Sequence, residues 1–212
     1  MTTHFKPSDG RGPNAHKPKS PRLADANRVR IIGGQWRSRI IEFPDVEGLR
    51  PTANRIRETL FNWLGQTLHD KHCLDLFAGS GALGFEAASR GAAVVFMVES
   101  DQAAMKSLKA NQAGLDARQC RLIARSAGQF LAGNREKFDV VFLDPPFASQ
   151  LMPTTLGQLG NHLSDDGVVY AEWHAPLADL IASLPNCRWR QVKHGKAGAV
   201  HFALLTIAKD EP

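Results

Sequence analysis

Short apolar segments alternate with helix-like segments along most of this 212-residue chain. The apolar segments have the length and the valine, leucine and phenylalanine content of buried strands. They cover residues 73–77, 93–99, 120–124, 138–143 and 167–172. A helix-like segment follows each of them: the first begins near residue 82, and the others lie near residues 102–113, 126–131, 153–161 and 177–184. This alternation predicts an α/β fold with an open, mostly parallel sheet and helices on both of its faces.

Two further pairs of extended segments flank the alternation. The sequence from Val29 to Phe43 predicts a β-hairpin that turns at Gly33 and Gly34. Residues 188–193 and 199–208, joined through H-G-K-A-G, predict an antiparallel pair at the end of the sheet. We therefore expect a Rossmann-like, doubly wound sheet of seven strands with an N-terminal β-hairpin extension.

One more helix is predicted between the hairpin and the first strand of the alternation. Residues 53–68 carry Ile56, Leu60 and Phe61 at helical spacing, and L-R-P-T leads into them. Thr52 has the residue type and the position of a helix N-cap.

The positive charge of the chain is concentrated at its N-terminus. Residues 1–30 hold seven Lys or Arg against Asp9 and Asp25, which is the whole of the formal net charge of +5. Residues 1–27 are also rich in proline and poor in apolar side chains, so we expect a disordered basic arm. Such an arm suits a polyanionic partner, and it equally suits a solvated tail that only aids solubility.

The composition also bears on the compartment. No apolar run approaches the ~20 residues of a membrane span, and the polar N-terminus has no secretory signal. The three cysteines, Cys73, Cys120 and Cys187, fit no zinc spacing and suggest a reducing compartment. We expect a cytoplasmic monomer that does not associate with a membrane.

The segment F-D-V-V-F-L-D-P-P-F, residues 138–147, ends its strand abruptly. Pro145 and Pro146 cannot donate ladder hydrogen bonds, so Asp144 stands at the carboxyl end of the strand. Sheets of this class bind their ligands at that end. Phe147, on the same loop, offers a ring that can stack on a flat group. A proline-rich turn with Asp144 as a helix cap is the structural alternative.

A glycine-rich loop follows the first strand of the alternation, in C-L-D-L-F-A-G-S-G-A-L-G. Gly79 and Gly81 allow a ligand to approach the backbone, and the next helix directs its N–H groups there. The pattern G-x-G-x-x-G is shared with dinucleotide-binding enzymes and is weak by itself. Asp75, inside the strand, suits a cationic amino group, and Glu99, at the end of the second strand, suits a ribose diol. S-adenosylmethionine has both groups and a methyl group to donate.

These motifs together resemble those of known methyltransferases. D-L-F-A-G-S-G-A-L-G resembles motif I of adenosylmethionine-dependent methyltransferases, and D-P-P-F resembles motif IV of those that methylate exocyclic amino groups. R-P-T-A-N-R-I-R-E-T-L-F-N-W-L, with R-I-I-G-G-Q-W-R and G-K-A-G, resembles the bacterial 16S (small-subunit) ribosomal RNA guanine-N2 methyltransferase family. The resemblance covers about residues 28–208. The chain departs from it at Asn54, where the family commonly has an acid, and at Ser126, where it often has Asn or Asp.

The resemblance implies methyl transfer from S-adenosylmethionine to a guanine of 16S ribosomal RNA, free or in an assembling small subunit, without a metal. The implied catalytic loop is Asp144, Pro145, Pro146 and Phe147. The implied cofactor contacts are Arg50, Thr52, Asp75, Phe77, Gly79, Gly81, Glu99 and Ser126. The expected RNA contacts are Arg30, Trp36, Arg37, Arg39, Lys193 and Lys196. The expected organisation is a basic arm (1–27), an RNA-contacting hairpin (28–48) and a methyltransferase domain (49–212).

Three other functions remain compatible with parts of the sequence. An adenine-N6 methyltransferase of DNA or RNA shares the D-P-P-F chemistry. An NAD-dependent oxidoreductase shares the glycine pattern, but Asp75 and D-P-P-F disfavour it. A non-catalytic RNA-binding module could keep the fold, although an intact Asp144 followed by both prolines argues against that alternative.

Overall fold

The structure is a computed structural model that describes Met1 and residues 27–44, 52–146, 150–184 and 188–208. Its strands are β1 (Asn27–Arg30), β2 (Ile40–Phe43), β3 (His72–Asp75), β4 (Val94–Glu99), β5 (Cys120–Ala124), β6 (Phe138–Leu143), β7 (Leu163–Trp173), β8 (Trp189–Ala197) and β9 (Val200–Ile207). Its helices are α1 (Asn54–Trp63), α2 (Ala82–Ser89), α3 (Gln102–Leu115), α4 (Ala127–Gly133), α5 (Leu151–Leu159) and α6 (Leu177–Ser183), with a 3₁₀ turn at Gly160–His162.

Strands β3 to β9 form one seven-stranded sheet in the order β5-β4-β3-β6-β7-β9-β8. The first five strands in that order run parallel, and β9 runs antiparallel to both β7 and β8. The predicted mostly parallel sheet and its antiparallel closing pair are confirmed. The turn of that pair is shorter than predicted, because residues 194–197 already pair with β9 and only Gly198 and Ala199 connect the strands.

Helices cover both faces of the sheet, as the β–α alternation predicts. The β1–β2 hairpin, α1, α2 and α3 pack on one face, against strand residues such as Val95, Val140 and Phe142. Helices α4, α5 and α6 pack on the other face, against residues such as Phe96 and Val141. Adjacent strand residues point to opposite faces, so each strand feeds both cores.

The N-terminal hairpin is present, but its predicted turn at the glycine pair is wrong. Strands β1 and β2 pair antiparallel, and residues 31–39 connect them. Gly33 and Gly34 instead lie against the end of α2, where the Ser89 hydroxyl donates to the carbonyl of Gly33 at 2.6 Å. Gly34 has a φ of +73°, and a Cβ there would lie 1.8 Å from the Ser89 carbonyl oxygen. Only glycine fits this docking position.

Helix α1 is shorter than its apolar spacing predicts. It ends at Trp63 rather than near residue 68, because Gly65 adopts a left-handed φ of +91° that terminates the helix. At its start the capping residue is Ala53, and no side chain makes a capping hydrogen bond. Thr52 is therefore not the helix cap, and its hydroxyl has another partner, described below.

The described residues also bear on the compartment expectations. Cys73 and Cys120 are free, buried thiols on strands, while Cys187 lies outside the described residues. Within the described ranges no helix combines the length and the apolar character that crossing a membrane requires.

Candidate active site

Four carboxyl side chains lie at the carboxyl ends of four adjacent parallel strands. Glu99 ends β4, Asp75 ends β3, Asp144 directly follows β6, and Glu172 lies one residue before the end of β7. We call these four residues the acidic edge. No Lys or Arg within the described residues forms an ion pair with any of them.

The strand register brings these side chains to the same face of the sheet. Phe142 of β6 lies opposite Asp75 of β3 and opposite Tyr170 of β7. Side chains two residues apart on a strand share a face. Asp144 follows Phe142 by two residues and Glu172 follows Tyr170 by two residues, so both side chains project on that face, nearer the carboxyl end. On β4, Met97 lies opposite Asp75, and Glu99 two residues later shares its face.

The glycine loop between β3 and α2 adopts backbone angles that favour glycine. Gly79 and Gly81 have φ values of 48° and 81°, in the left-handed region. A Cβ on Gly81 would lie 2.6 Å from the Phe85 ring, so packing within the fold leaves this position no room for a side chain. The approach of a ligand to this backbone stays a prediction.

Glu99 is anchored by the loops on either side of it. Its Oε2 accepts the N–H of Gly79 at 2.8 Å, and its Oε1 accepts the N–H of Asp101 at 2.7 Å. The side chain is half-buried, and each carboxylate oxygen keeps a second lone pair. Glu99 can therefore accept hydroxyl groups of a ligand while it holds the glycine loop.

Asp75 is 3% exposed and holds the first turn of α2 through the N–H of Gly84, which donates to Oδ2 at 2.9 Å. Burial raises the pKa of Asp75 to about 7; the Gly84 hydrogen bond opposes that rise, and the nearby Glu99 carboxylate adds to it. A cation beside Asp75 would lower that pKa again. The buried carboxyl therefore has a structural contact with α2, and a nearby positive charge would stabilise its ionised form.

Asp144 accepts a hydrogen bond from Thr52, whose Oγ1 lies 3.2 Å from Oδ2. Thr52 is 8% exposed and precedes Ala53, the capping residue of α1, and this hydrogen bond places its hydroxyl beside Asp144. Burial raises the pKa of Asp144 well above its ordinary value, and the carboxylates of Glu172 and Asp75 raise it further, against the Thr52 hydrogen bond.

Glu172 and Tyr170 are site residues that the sequence interpretation missed. The Tyr170 hydroxyl donates to Glu172 Oε1 at 2.6 Å, and both side chains are buried. Burial raises the pKa of Glu172, while hydrogen bonds from Tyr170 and Thr52 oppose that rise. The sequence does contain a signal for Glu172, since it is an acid near the end of a predicted strand. The same rule identified Glu99.

The remaining residues of the predicted catalytic loop are only partly described. Pro145 is buried and Pro146 is exposed beside Asp144. Phe147 and Arg50 lie outside the described residues, so their predicted contacts stay predictions.

Two further predicted cofactor contacts have structural partners in the fold. Phe77 is half-buried and packs against the core beneath α4, α5 and α6. Ser126 caps α4: its hydroxyl accepts the N–H of Gln129 at 3.3 Å, and the Gln129 side chain accepts the N–H of Ser126 at 3.2 Å. This capping box accounts for Ser126 without a ligand, and its contact with the cofactor stays a prediction.

Trp36 does not fit the predicted contact with an unstacked base. Its side chain is only 8% exposed and packs in the core beneath the hairpin. Its backbone N–H donates to Ser89 Oγ at 2.9 Å, which fixes the loop on α2. The aromatic residue between the hairpin arginines is therefore part of the hairpin's packing.

The basic residues of the predicted RNA surface are exposed. Arg30 and Arg39 each donate to a backbone carbonyl, at 3.2 and 2.9 Å, and Lys193 reaches another at 3.5 Å. Lys196 is exposed on β8. The side chain of Arg37 is exposed and has neither an ion pair nor a hydrogen bond with another described residue.

A second buried charged cluster joins the hairpin to α1 and α2. The Glu86 carboxylate accepts Arg57 Nη1 at 3.4 Å and Arg90 Nε at 2.8 Å, and it also accepts the N–H groups of Ile32 and Gly33, both at 2.8 Å. We call Arg57, Glu86 and Arg90 the guanidinium clamp. The clamp explains why a glutamate stands in the otherwise apolar α2.

Arg57 extends the clamp to the start of α1. Its Nη2 donates to the carbonyl of Arg30 at 2.9 Å and to Asn54 Oδ1 at 2.6 Å. Its side chain is fully buried, and its Nε has no partner among the described residues. Burial lowers the pKa of Arg57, and Glu86 opposes that shift. Asn54, one of the two positions at which the chain departs from the pattern that it resembles, is thus a contact of this buried guanidinium.

Comparison with known proteins gives consistent matches. Residues 29–206 match the family described as "Conserved hypothetical protein 95". The Escherichia coli "Ribosomal RNA small subunit methyltransferase D" is 41% identical over 188 residues, which are 88% of this chain and 93% of that protein. A Haemophilus influenzae protein of the same name is 45% identical over 182 residues, 83% of this chain and 92% of that protein.

Solved structures also match this chain over most of its length. The Escherichia coli protein yhhF, a proposed methyltransferase, superposes with a TM-score of 0.74 at 41% identity and covers 86% of this chain and 99% of its own. A proposed methylase from Haemophilus influenzae gives a TM-score of 0.70 at 36% identity and covers 86% of this chain and 100% of its own.

Proposed function

This chain belongs to the Conserved hypothetical protein 95 family, with the ribosomal RNA small subunit methyltransferases D, and on that premise we propose that it methylates the exocyclic N2 of a guanine in 16S ribosomal RNA. The names of the relatives support methylation of small-subunit ribosomal RNA. The choice of guanine N2 rests on the D-P-P-F loop and the R-P-T-A-N-R-I-R-E-T-L-F-N-W-L segment.

The observation that carries the proposal is the position of Asp144. It follows the strand next to β3, so its carboxylate shares one edge of the sheet with the glycine loop. Methyl transfer needs an acceptor nitrogen and a methyl donor held side by side. In this proposal the D-P-P loop would hold the acceptor nitrogen and the glycine loop would hold the methyl donor.

The residues of the acidic edge fit S-adenosylmethionine, which supplies an electrophilic methyl group when it is bound. The cofactor carries a sulfonium and an ammonium group, and the acidic edge offers carboxyls without cationic side-chain partners in the described part of the chain. Asp75 would face the ammonium group, Glu99 would accept the ribose hydroxyls, and Gly79 and Gly81 would let the ligand approach. Phe77, Ser126, Arg50 and Thr52 would complete its surroundings.

Asp144 and Pro145 would orient the acceptor. The lone pair of the guanine 2-amino nitrogen is delocalised into the ring, so the nitrogen is a weak nucleophile. The carboxylate of Asp144 and the carbonyl of Pro145 would accept its two hydrogens and aim the lone pair at the methyl group. Phe147 would stack on the base, and Pro146 would stiffen the loop. The guanine must be flipped out or already unpaired to reach this position.

The basic surface would hold the RNA backbone. Arg30, Arg37, Arg39, Lys193 and Lys196 are exposed and would contact phosphates. The basic arm over residues 1–27 would add non-specific attraction. The free thiols of Cys73 and Cys120 support a reducing compartment such as the cytoplasm, and we propose that the enzyme acts there as a monomer.

Identification of the methylated nucleoside tests this function. The protein is incubated with methyl-labelled S-adenosylmethionine and unmethylated small-subunit RNA, both naked and as assembled particles, and the RNA is digested. We expect label in N2-methylguanosine, and the better substrate shows whether ribosomal protein takes part in recognition. Label in N6-methyladenosine would move the enzyme to the adenine class. Absence of label despite cofactor binding would contradict the proposed reaction.

A further inference from the structure

Two buried polar side chains beside Asp144 have no part in the steps above. Glu172 is 3% exposed and Tyr170 is fully buried. The register of β6 and β7 ends with Leu143 opposite Ala171, so Asp144 and Glu172 occupy the next position along the two neighbouring strands. A carboxyl is costly to bury unless another group compensates it. Glu172 is buried next to the half-buried carboxyl of Asp144, so its position needs a specific explanation.

Thr52 links the two carboxyls. Its hydroxyl donates to Asp144 Oδ2 at 3.2 Å and also interacts with Glu172. Both interactions favour the ionised form of the carboxyl concerned and oppose the effect of burial. Thr52 therefore supports two neighbouring negative charges in the site.

Tyr170 fixes the carboxylate of Glu172. Its hydroxyl donates to Oε1 at 2.6 Å, which also favours the ionised form of Glu172. The other group that acts on Asp144 within the described residues is the Asp75 carboxyl of β3. Asp144 is thus faced by Thr52 before α1, by Tyr170 and Glu172 of β7, and by Asp75, with no cationic side chain among them.

We propose that Asp144 takes up the proton that the acceptor amine loses on methylation, and that Glu172, fixed by Tyr170 and linked through Thr52, is the positioning residue that makes Asp144 a competent proton acceptor. The proposal rests on the proposed methylation of an exocyclic amine. It gives the buried carboxyl of Glu172 a role in the reaction. If Asp144 only accepted a hydrogen bond from the amine, the reaction would not need Glu172.

The proton balance of the step requires such an acceptor. The amino nitrogen forms its bond to the methyl carbon while the methyl–sulfur bond breaks and the bonding pair stays on sulfur. The nitrogen then carries a positive charge and two hydrogens, and it must lose one of them as a proton. Asp144 already accepts a hydrogen bond from that nitrogen in the proposed geometry, so the proton moves along an existing contact. The neighbouring negative charge of Glu172 favours its arrival.

The test compares pH–rate profiles of single-turnover methyl transfer. In Glu172→Gln the like charge is lost, so the acidic limb of the profile moves to lower pH and the plateau rate falls on the order of tenfold. In Tyr170→Phe the carboxyl of Glu172 loses a hydrogen bond and is protonated more easily, so less negative charge faces Asp144. The acidic limb therefore also moves to lower pH, by less than in Glu172→Gln. Asp139→Asn is the matched control at the other end of β6, and its limb stays in place. The KM for RNA stays within about threefold in all three variants.

An unmoved limb in both Glu172→Gln and Tyr170→Phe would overturn the inference, as would an equal movement in Asp139→Asn. A fall in rate at every pH without a shift would make Glu172 merely structural. If Glu172→Gln does not fold, Tyr170→Phe carries the decision, since it keeps the carboxyl. Wild-type protein that transfers no methyl group would contradict the proposed function; active wild-type protein with unmoved limbs would contradict this inference alone.

Discussion

The molecule contains two clusters of buried charge, and they are built in opposite ways. In the guanidinium clamp one carboxylate, Glu86, receives two guanidiniums and two backbone N–H groups within 3.4 Å. In the acidic edge Asp75 and Glu172 are buried and Asp144 is half-buried, and their described partners are hydroxyls and backbone N–H groups.

The difference separates structure from function. The charges of the clamp are paired within the protein, and among the described residues only Arg57 Nε lacks a partner, so the clamp holds the hairpin and two helices together. The acidic edge is compensated only in part, so burial raises the pKa of Asp75, Asp144 and Glu172. Clustered groups with such shifts in a sheet's ligand-binding edge are typical of functional sites. A cationic ligand would supply the positive charge that the described residues do not provide to the acidic edge.

The largest expected effect of breaking the acidic edge is on the rate of transfer. Asp144→Asn removes the negative charge that faces the acceptor amine, and we expect methyl transfer to fall about 10²–10³-fold. Cofactor affinity should change by no more than about threefold, because the proposed cofactor contacts are those of Asp75 and Glu99. Single-turnover rates and binding calorimetry measure the two quantities. Equal losses in both would show that Asp144 serves binding rather than transfer.

Breaking the clamp should affect stability and leave the chemistry of the site intact. Glu86→Gln leaves Arg57 and Arg90 without a carboxylate, and we expect the free energy of unfolding to fall by about 3–5 kcal/mol in denaturant titrations. Glu42→Gln is the matched control, since its ion pair with Arg28 is exposed and worth at most about 1 kcal/mol. A loss of the same small size in both variants would mean that the clamp does not hold the hairpin.

Asp75→Asn should change how stability depends on pH. The pKa of Asp75 is about 7 in the folded protein, against about 3.9 in the unfolded chain, so the folded state keeps the proton longer. Stability of the wild type is therefore lost through this group as pH rises from about 4 to 7. The variant should gain about 2–4 kcal/mol over the wild type near pH 8, and the gain should vanish near pH 4. A difference independent of pH would contradict the shifted carboxyl.

The smallest expected effect concerns the basic surface outside both clusters. Arg37→Ala should weaken RNA binding several-fold and reduce the salt dependence by about one released counterion. Arg28→Ala is the control, because Arg28 is already paired with Glu42 at 2.8 Å. Filter binding over a salt series measures both slopes. Identical slopes for Arg37→Ala and the wild type would exclude Arg37 from the phosphate contacts.

The sequence predicted the sheet and its helices because their periodicity is local. The same holds for Glu99 and Asp144, each of which can be placed at the end of a strand from its neighbours in the chain. Asp75 was predicted inside a strand over residues 73–77, whereas β3 ends at Asp75. The hairpin turn was wrong because Gly33 and Gly34 serve a contact with Ser89, which is distant in the sequence. Local turn rules contain no information about such docking.

The residues that the sequence misplaced or missed share this cause. Trp36 lies between arginines, and only the packing of the hairpin on α2 shows that it is buried. Thr52 looks like a helix cap until the fold brings it to Asp144, which is 92 residues away. The pairing of β6 with β7 brings Glu172 and Tyr170 next to Asp144. Strand order is a tertiary property, so the local sequence does not show this neighbourhood.

The most direct test of the contrast between the two clusters is the proton balance of cofactor binding. Calorimetry near pH 6.5, in buffers of different ionisation enthalpy, gives the number of protons released when S-adenosylmethionine binds. A cation that enters the acidic edge should displace protons from its carboxyls, and S-adenosylhomocysteine, which lacks the sulfonium charge, should displace fewer. Release that is larger for S-adenosylmethionine is the predicted result. Binding of both ligands without proton release would contradict an acidic edge that awaits a cationic cofactor.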